Sequence, residues 1–347
     1  STVADRSRSS PELRYLSVLA LARARATAQA IRRFDALGLG SVDSGSVSPR
    51  LAEDISALAA RLDKDMALAD QARSEKWATR SAEAYQTAFG KHRSAYLAVN
   101  AATRKAYVAN FLDGTLSVID EASETVVKTI AFAPYGEPIH VAVNPVTNRV
   151  YVALHRGGRL VVINGADDTL LTTVDVGTGA FGVAVDLLLN QVYVSCRDSR
   201  LIRVVDGASN AVLGGMTIFP GGEPYALEID PGLRRLYVSF APEGDNPRQL
   251  LAYSLWATGP VMDGSTQVGN GGPEGGCGVA VNRATHHVFV TNSQDDNVSV
   301  VQGATMMLLG TVPVGDDPAG VAVDPGLMQA FVGNRGSRNI VALPDGY

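Results

Sequence analysis

From about residue 91 onward, apolar and polar positions alternate in short, regularly spaced bursts. FVTNSQDDNVSVV at 289–301 is an apolar run, a polar turn and a second apolar run; YVANFLDGTLSVI at 107–119 and YVSCRDSRLIRVV at 193–205 repeat it. Runs of about five β-branched residues bounded by Gly, Asn, Asp and Pro predict short antiparallel strands. Aligned on the aromatic that opens one such run, the copies start at Tyr107, Tyr151, Tyr193, Tyr237, Phe289 and Phe331, at intervals of 44, 42, 44, 52 and 42 residues. Seven positions before each aromatic stands Asn or Asp: Asn100, Asn144, Asp186, Asp230, Asn282 and Asp324. Each copy reads as a small-and-branched run (HVAVN, GVAVD, ALEID), a turn, the aromatic run, a polar loop, a third run (LSVID, LVVIN) and a fourth (TVVKTIAF, TLLTTVDV). Four strands in about 42 residues predict a propeller blade. The chain is therefore expected to be all-β, a six-bladed β-propeller over 84–347, with the small residues of GVAV placed innermost where blades converge.

The periodicity also predicts how the parts join. The Asn or Asp before each turn suits an Asx turn, its side chain accepting from backbone amides two residues on. The last copy stops after NIVAL and PDGY, so its blade lacks a fourth strand; AYQTAF at 84–89 is the expected donor, which would spare an unpaired edge. Residues 1–83 follow a helical period instead. SSPEL at 9–13 is a helix start, and Leu13, Leu16, Ala20, Thr27, Ile31 and Phe34 recur at helical spacing; Ser48-Pro49 opens a second helix with Leu51, Ile55, Leu58, Leu62 and Met66. The expectation is an N-terminal α-helical hairpin preceding the propeller.

The FVTN, YVAN and FVGN strands, the VGDDPAGVAVD start at 314–324 and the NPVTN turn resemble the YVTN-type β-propeller repeat family across about residues 91–347. That resemblance implies a binding or envelope protein, secreted or periplasmic, since relatives include surface-layer, periplasmic and binding proteins. A chain opening at Ser1 accords with loss of a leader. More distant propellers of related shape act as lyases or lactonases, so the resemblance leaves a hydrolase or lyase reading beside the binding one. Blade 4 departs from the pattern, with FAPEGDNPRQLL in place of the usual loop.

Composition narrows the partners. Thirty basic against thirty-five acidic residues give −5, which argues against a nucleic-acid binder. No run approaches the ~20 apolar residues of a membrane helix. Two cysteines eighty-one positions apart make neither a disulfide framework nor a zinc site. Residues 1–40 hold seven Arg against three acids, or +4, leaving −9 on the rest; that basic helix could dock a protein partner.

Candidate chemistry follows from the ring. Loops leading into each inner strand (inlets) should meet loops leaving each aromatic strand (outlets) at one mouth of the axis. The residue before the consensus proline position is Glu137, Glu223 and Asp317 in blades 2, 4 and 6, a threefold array that suits a hard cation such as calcium. His140 and His155 fall at the inlet and outlet of blade 2, where a general base would stand if the protein is an enzyme. Asn110, Asn292 and Asn334 at outlets, Tyr225 at an inlet, and Arg197 and Arg335 at opposite outlets are the candidate ligand contacts, the arginines for an anionic group. His286 and His287 are expected in a solvated turn on the opposite face. No GxSxG elbow, HExxH, phosphate loop or CxxCH occurs.

Overall fold

The computed structural model describes residues 94–346, with breaks at 101, 121, 124, 218–221, 243–245, 258, 271–277 and 338. Six antiparallel sheets, each cut from one consecutive stretch of chain, form the six blades of a ring. Blade 1 comprises β1 (Ser94–Asn100), β2 (Lys105–Asn110), β3 (Thr115–Asp120) and β4 (Thr125–Ala131). Blade 2 comprises β5 (Pro138–Asn144), β6 (Arg149–Leu154), β7 (Arg159–Asn164) and β8 (Thr169–Asp175). Blade 3 comprises β9 (Ala180–Asp186), β10 (Gln191–Cys196), β11 (Leu201–Asp206) and β12 (Val212–Thr217). Blade 4 comprises β13 (Gly222–Asp230), β14 (Arg235–Pro242), β15 (Arg248–Trp256) and β16 (Gly259–Gly269). Blade 5 comprises β17 (Val279–Asn282), β18 (His287–Asn292), β19 (Asn297–Gln302) and β20 (Met307–Pro313), and blade 6 has β21 (Pro318–Asp324), β22 (Gln329–Asn334) and β23 (Asn339–Pro344). Spatial order follows chain order within every blade. The six-bladed expectation holds. Both the expected hairpin at 1–83 and the closing segment at 84–89 lie outside the described residues.

Apolar burial runs between blades rather than within them. Tyr107 packs with Leu116 and Val118 of its own blade and with Val141, Val150 and Val152 of the next. Tyr151 repeats this between blades 2 and 3, Tyr193 between 3 and 4, Tyr237 between 4 and 5, and Phe289 between 5 and 6. All five rings are fully buried. The repeated aromatic is thus the key of each blade junction, which is why it recurs at blade spacing. Fourth strands face water: β4 reads exposed almost throughout, and Val126, Val127, Leu170, Leu171, Val212 and Leu213 remain exposed there.

Polar groups lock the same junctions at the foot of the inner strands. Each Asn or Asp before the turn accepts from the amide two residues on, as with Val146 to Asn144 Oδ1 at 3.0 Å and Gly232 to Asp230 Oδ1 at 2.8 Å. The fourth residue after it has positive φ in all six blades: Arg104, Asn148, Asn190, Arg234, His286 and Met328. That left-handed turn lets the residue reach back to the preceding blade. Asn100 Nδ2 donates to Asn148 Oδ1 at 2.7 Å, Asn144 Nδ2 to Asn190 Oδ1 at 2.9 Å, Arg234 to Asp186 Oδ1 at 2.8 Å, and His286 Nδ1 meets Asp230 Oδ2 at 2.7 Å. Crowding at this clasp explains Gly165, where an added Cβ would lie 2.2 Å from Asn148 Oδ1.

Blade 6 shows the compensation. Its left-handed residue is Met328, which offers no strong hydrogen-bonding group. Asp345 takes the place of the glycine, its amide bonded to Met328 O as that of Gly165 is to Asn148 O. Its carboxylate accepts from Asn282 Nδ2, from Thr285 Oγ1 at 2.8 Å and from His287 Nδ1 at 2.5 Å. His287 is therefore buried, not solvated as the sequence suggested. It stands where Lys105, Arg149 and Arg235 stand in other blades, each reaching the outer hairpin of the next blade: Lys105 to Asp168 at 2.6 Å, Arg149 to Asn210 at 3.2 Å and Arg235 to Ala304 O at 2.7 Å. His286 is likewise a clasp, not a free surface group. Asp345→Ala would strand two buried donors, so stability should fall by about 2 kcal/mol. Urea unfolding of the variant beside Asp345→Asn checks this, and an unchanged midpoint would refute the clasp.

Candidate functional site

Inlets and outlets do meet on one face. The outlet amides of His155, Arg197 and Arg335 donate to the inlet carbonyls of Glu137, Gly179 and Asp317 at 2.8, 2.8 and 2.9 Å. Geometry there is set by an extra residue in the inner strand. In blade 1 the pairing jumps from Ser94↔Asn110 to Leu97↔Val108, and equivalent bulges interrupt β5, β9 and β13. A bulge re-aims side chains and frees backbone amides from the ladder. The re-aimed residues are Tyr96, Ile139-His140, Phe181 and Tyr225. Buried hydroxyls of the second strand take some freed amides: Gly182 donates to Ser195 Oγ at 2.7 Å, Ala226 to Ser239 Oγ at 3.0 Å, and in blade 5 Gly278 to Thr291 Oγ1 at 2.7 Å. Sequence reasoning missed these hydroxyls. Their only trace is Ser, Ser and Thr where blades 1, 2 and 6 carry Ala109, Ala153 and Gly333.

The bulged side chains form a continuous aromatic arc across blades 1 to 4. Tyr96 lies against His140 with centroids 4.2 Å apart and the rings tilted by 43°, and it meets Phe181 edge-on at 6.4 Å. Phe181 contacts Tyr225 at 5.3 Å and His155 at 6.3 Å, and His155 contacts Phe111 at 6.4 Å. Guanidinium groups of Arg197 and Arg248 lie 5.8 and 5.4 Å from the Tyr225 centroid, within cation–π range. Arg248, 3% exposed, opens β15 directly after the irregular blade-4 loop. Tyr96 and Phe181 at inlets and Phe111 at an outlet stand at positions that the repeat assigns to this mouth, but they and Arg248 were not singled out as ligand contacts.

The charged candidates pair off instead of converging. Glu137 bonds Arg156 at 3.1 Å, Asp317 takes Arg335 through both oxygens at 2.5 and 3.0 Å, and Glu223 lies 3.4 Å from Arg197 while accepting from Tyr225 Oη at 3.0 Å. Arg197 also bonds Asp198 at 3.2 Å. Among the described residues no three Asp, Glu, His or Cys side chains group as a metal would require, so the expected calcium array has no geometric support. The arginine pair expected to hold an anion is already engaged by carboxylates. Asn110, Asn292 and Asn334 are buried with their amides turned into their own hairpins, donating to Ser117 at 2.8 Å, Asn297 at 2.7 Å and Asn339 at 2.9 Å. Of the candidates, His140, His155, Tyr225 and Arg197 share the aromatic arc.

Both arc histidines hold a proton less readily than a free imidazole. Burial holds His140 down at about 4, and burial followed by the Arg197 charge lowers His155. Burial, then the Glu223 carboxylate, pushes the Tyr225 phenol up to about 12, keeping it a donor. On the inner strand β13, Glu228 occupies a position that is Ala98, Ala142, Ala184, Ala280 or Ala322 in the other blades. Burial raises it to about 7, against the Arg283 charge 3.8 Å away.

These shifts have opposite signs in stability. His140 binds its proton more readily unfolded, so its contribution is intact above about 6.5 and is lost as pH falls toward 4. Glu228 binds its proton more readily folded, so its contribution is present below about 4.5 and is lost as pH rises through 7. Glu228→Ala should therefore raise the Tm more at pH 8 than at pH 5. Thermal melts at both values check this; an equal shift at the two would overturn the assignment.

Comparison with known proteins gives the fold its relatives. The profile of the family described as Tetratricopeptide Repeats-Sensor matches residues 2–105. No curated protein matches the chain in sequence. Among solved structures, a protein of Bacteroides uniformis described as a 6-phosphogluconolactonase is similar with a TM-score of 0.61 and 16% identity, over 71% of this chain and 79% of that one. Kuenenia stuttgartiensis hydrazine synthase is similar with a TM-score of 0.50 and 14% identity, over 73% of this chain and 96% of that one. At such identities the likeness is one of fold: this chain carries a six-bladed β-propeller.

Proposed function

We propose that the propeller is a binding module whose aromatic arc at the axial mouth takes a small, planar, uncharged organic ligand. The observation that carries this reading is the unbroken run of ring contacts from Phe111 through His155, Phe181 and Tyr96 to His140, with Tyr225 beside it. The rings come from four separate blades: Phe181 and Tyr225 are buried as a small core of their own, and Tyr96, Phe111 and both imidazoles stay partly exposed beside them, offering apolar ring faces and edges. Pairing of Arg156, Arg197 and Arg335 with carboxylates at the rim favours an uncharged guest, because a charged one would compete with ion pairs already formed.

The hydrolase or lyase reading finds no observation of its own. A histidine held near 4 is a weak base at pH 7, and the neighbouring Glu137 and Glu223 are closed on arginines. The fold shared with a 6-phosphogluconolactonase-type protein is too remote in sequence to lend its activity. The repeat grammar supports a YVTN-type propeller, and the sensor-family match over residues 2–105 supports reading the N-terminal segment as a module joined to it.

Ligand-observed NMR with benzamide, benzoate and benzylammonium tests the proposal. Benzamide should bind most strongly of the three, and Tyr96→Ala should weaken it about tenfold, as loss of a large ring face implies. Binding that ignores Tyr96→Ala, or that favours either ion, would overturn the reading.

A further inference from the structure

The two imidazoles of the arc are fixed in opposite tautomers. His140 Nδ1 lies 3.3 Å from the Val183 amide, and a backbone N–H can only donate, so Nδ1 carries the lone pair and Nε2 the hydrogen. His155 Nδ1 lies 3.3 Å from the Ala180 carbonyl, and a carbonyl can only accept, so Nδ1 carries the hydrogen and Nε2 the lone pair. Both backbone partners belong to the bulged start of β9 and flank Phe181. Neither Nε2 has a hydrogen-bond partner among the described residues, and both side chains keep some exposure. Each ring also lies against the arc, His140 on Tyr96 and His155 on Phe181.

We propose, building on the planar-ligand reading above, that the arc recognises an amide-type edge: a carbonyl accepting from His140 Nε2–H beside an N–H donating to His155 Nε2. Carboxamides and lactam-like heteroaromatic rings carry that edge. Two neutral imidazoles read it better than charged groups would, because they supply direction without attracting ions. Protonation of either ring would turn its lone pair into a second donor, and desolvation of both opposes this at neutral pH.

Benzamide and acetophenone differ at the amide nitrogen, an NH₂ against a methyl of similar size. The wild-type protein should bind benzamide about fivefold more tightly, the worth of one net hydrogen bond. In His155→Leu that preference should fall to about one, while His140→Leu should weaken both compounds by a similar factor. Nitrogen-15 NMR of the wild-type histidines should show His140 protonated at Nε2 and His155 at Nδ1, a readout independent of any variant's folding. Equal affinity for the two compounds, with Tyr96→Ala still weakening both, would overturn the edge and leave the aromatic site standing. Absence of binding by either would remove the site itself, and the opposite tautomer at either histidine would overturn the proposal without reference to ligands.

Discussion

A four-stranded antiparallel blade has two apolar faces and cannot bury either one alone. The rest of the propeller follows from that constraint. Blades 2 to 5 each hide one face against the preceding blade and the other against the following one, and the repeated Tyr or Phe of the second strand fills the gap between them. Apolar burial of this kind carries most of the cohesive energy, since a buried aromatic side chain contributes roughly 2–3 kcal/mol and each junction adds several branched neighbours. It has no direction, however. Register between blades is supplied by the polar clasps at the foot of the inner strands, where an Asn or Asp both shapes its own turn and meets the left-handed residue of the next blade.

The same ring geometry produces the aromatic arc. Inner strands converge near the axis and must diverge again at the mouth, and in blades 1 to 4 they do so through one extra residue. That residue has two effects. It turns Tyr96, His140, Phe181 and Tyr225 out of the blade, and it releases amides that need new acceptors in a buried setting. Ser195 takes one, and His140 itself takes another. The stabilising requirement that buried amides be paired thereby sets the tautomer of an imidazole in the arc. Packing and hydrogen-bond accounting are here one arrangement.

Exceptions to the repeat are as informative as the repeat. Met328 breaks the clasp in blade 6, and Asp345 restores it from the far side of the sheet. Glu228 replaces alanine on β13 and is answered by Arg283 from the neighbouring blade. The blade-4 loop departs from the pattern and brings Arg248 beneath Tyr225. Each departure from the common pattern has a local partner, and two of the three sit on the same blade.

Period and composition determined the blade count, the order of strands and the role of the turn residues, because these depend on local pattern: two-residue alternation, turn chemistry and a fixed interval. The face on which inlets and outlets meet was legible for the same reason, and so were His140, His155, Tyr225 and Arg197 as members of it. What lay beyond the sequence was which side chains pair, within a blade as well as between blades. Nothing local says that Glu137 closes on Arg156, that Asn292 turns into its own hairpin, or that His287 is buried against Asp345. Such choices depend on which side chains the ring brings within about 3 Å, and only the tertiary structure sets those distances. An acid ring and an arginine pair were reasonable on spacing alone; in three dimensions the opposite charges found each other first, and the aromatic arc was left between them.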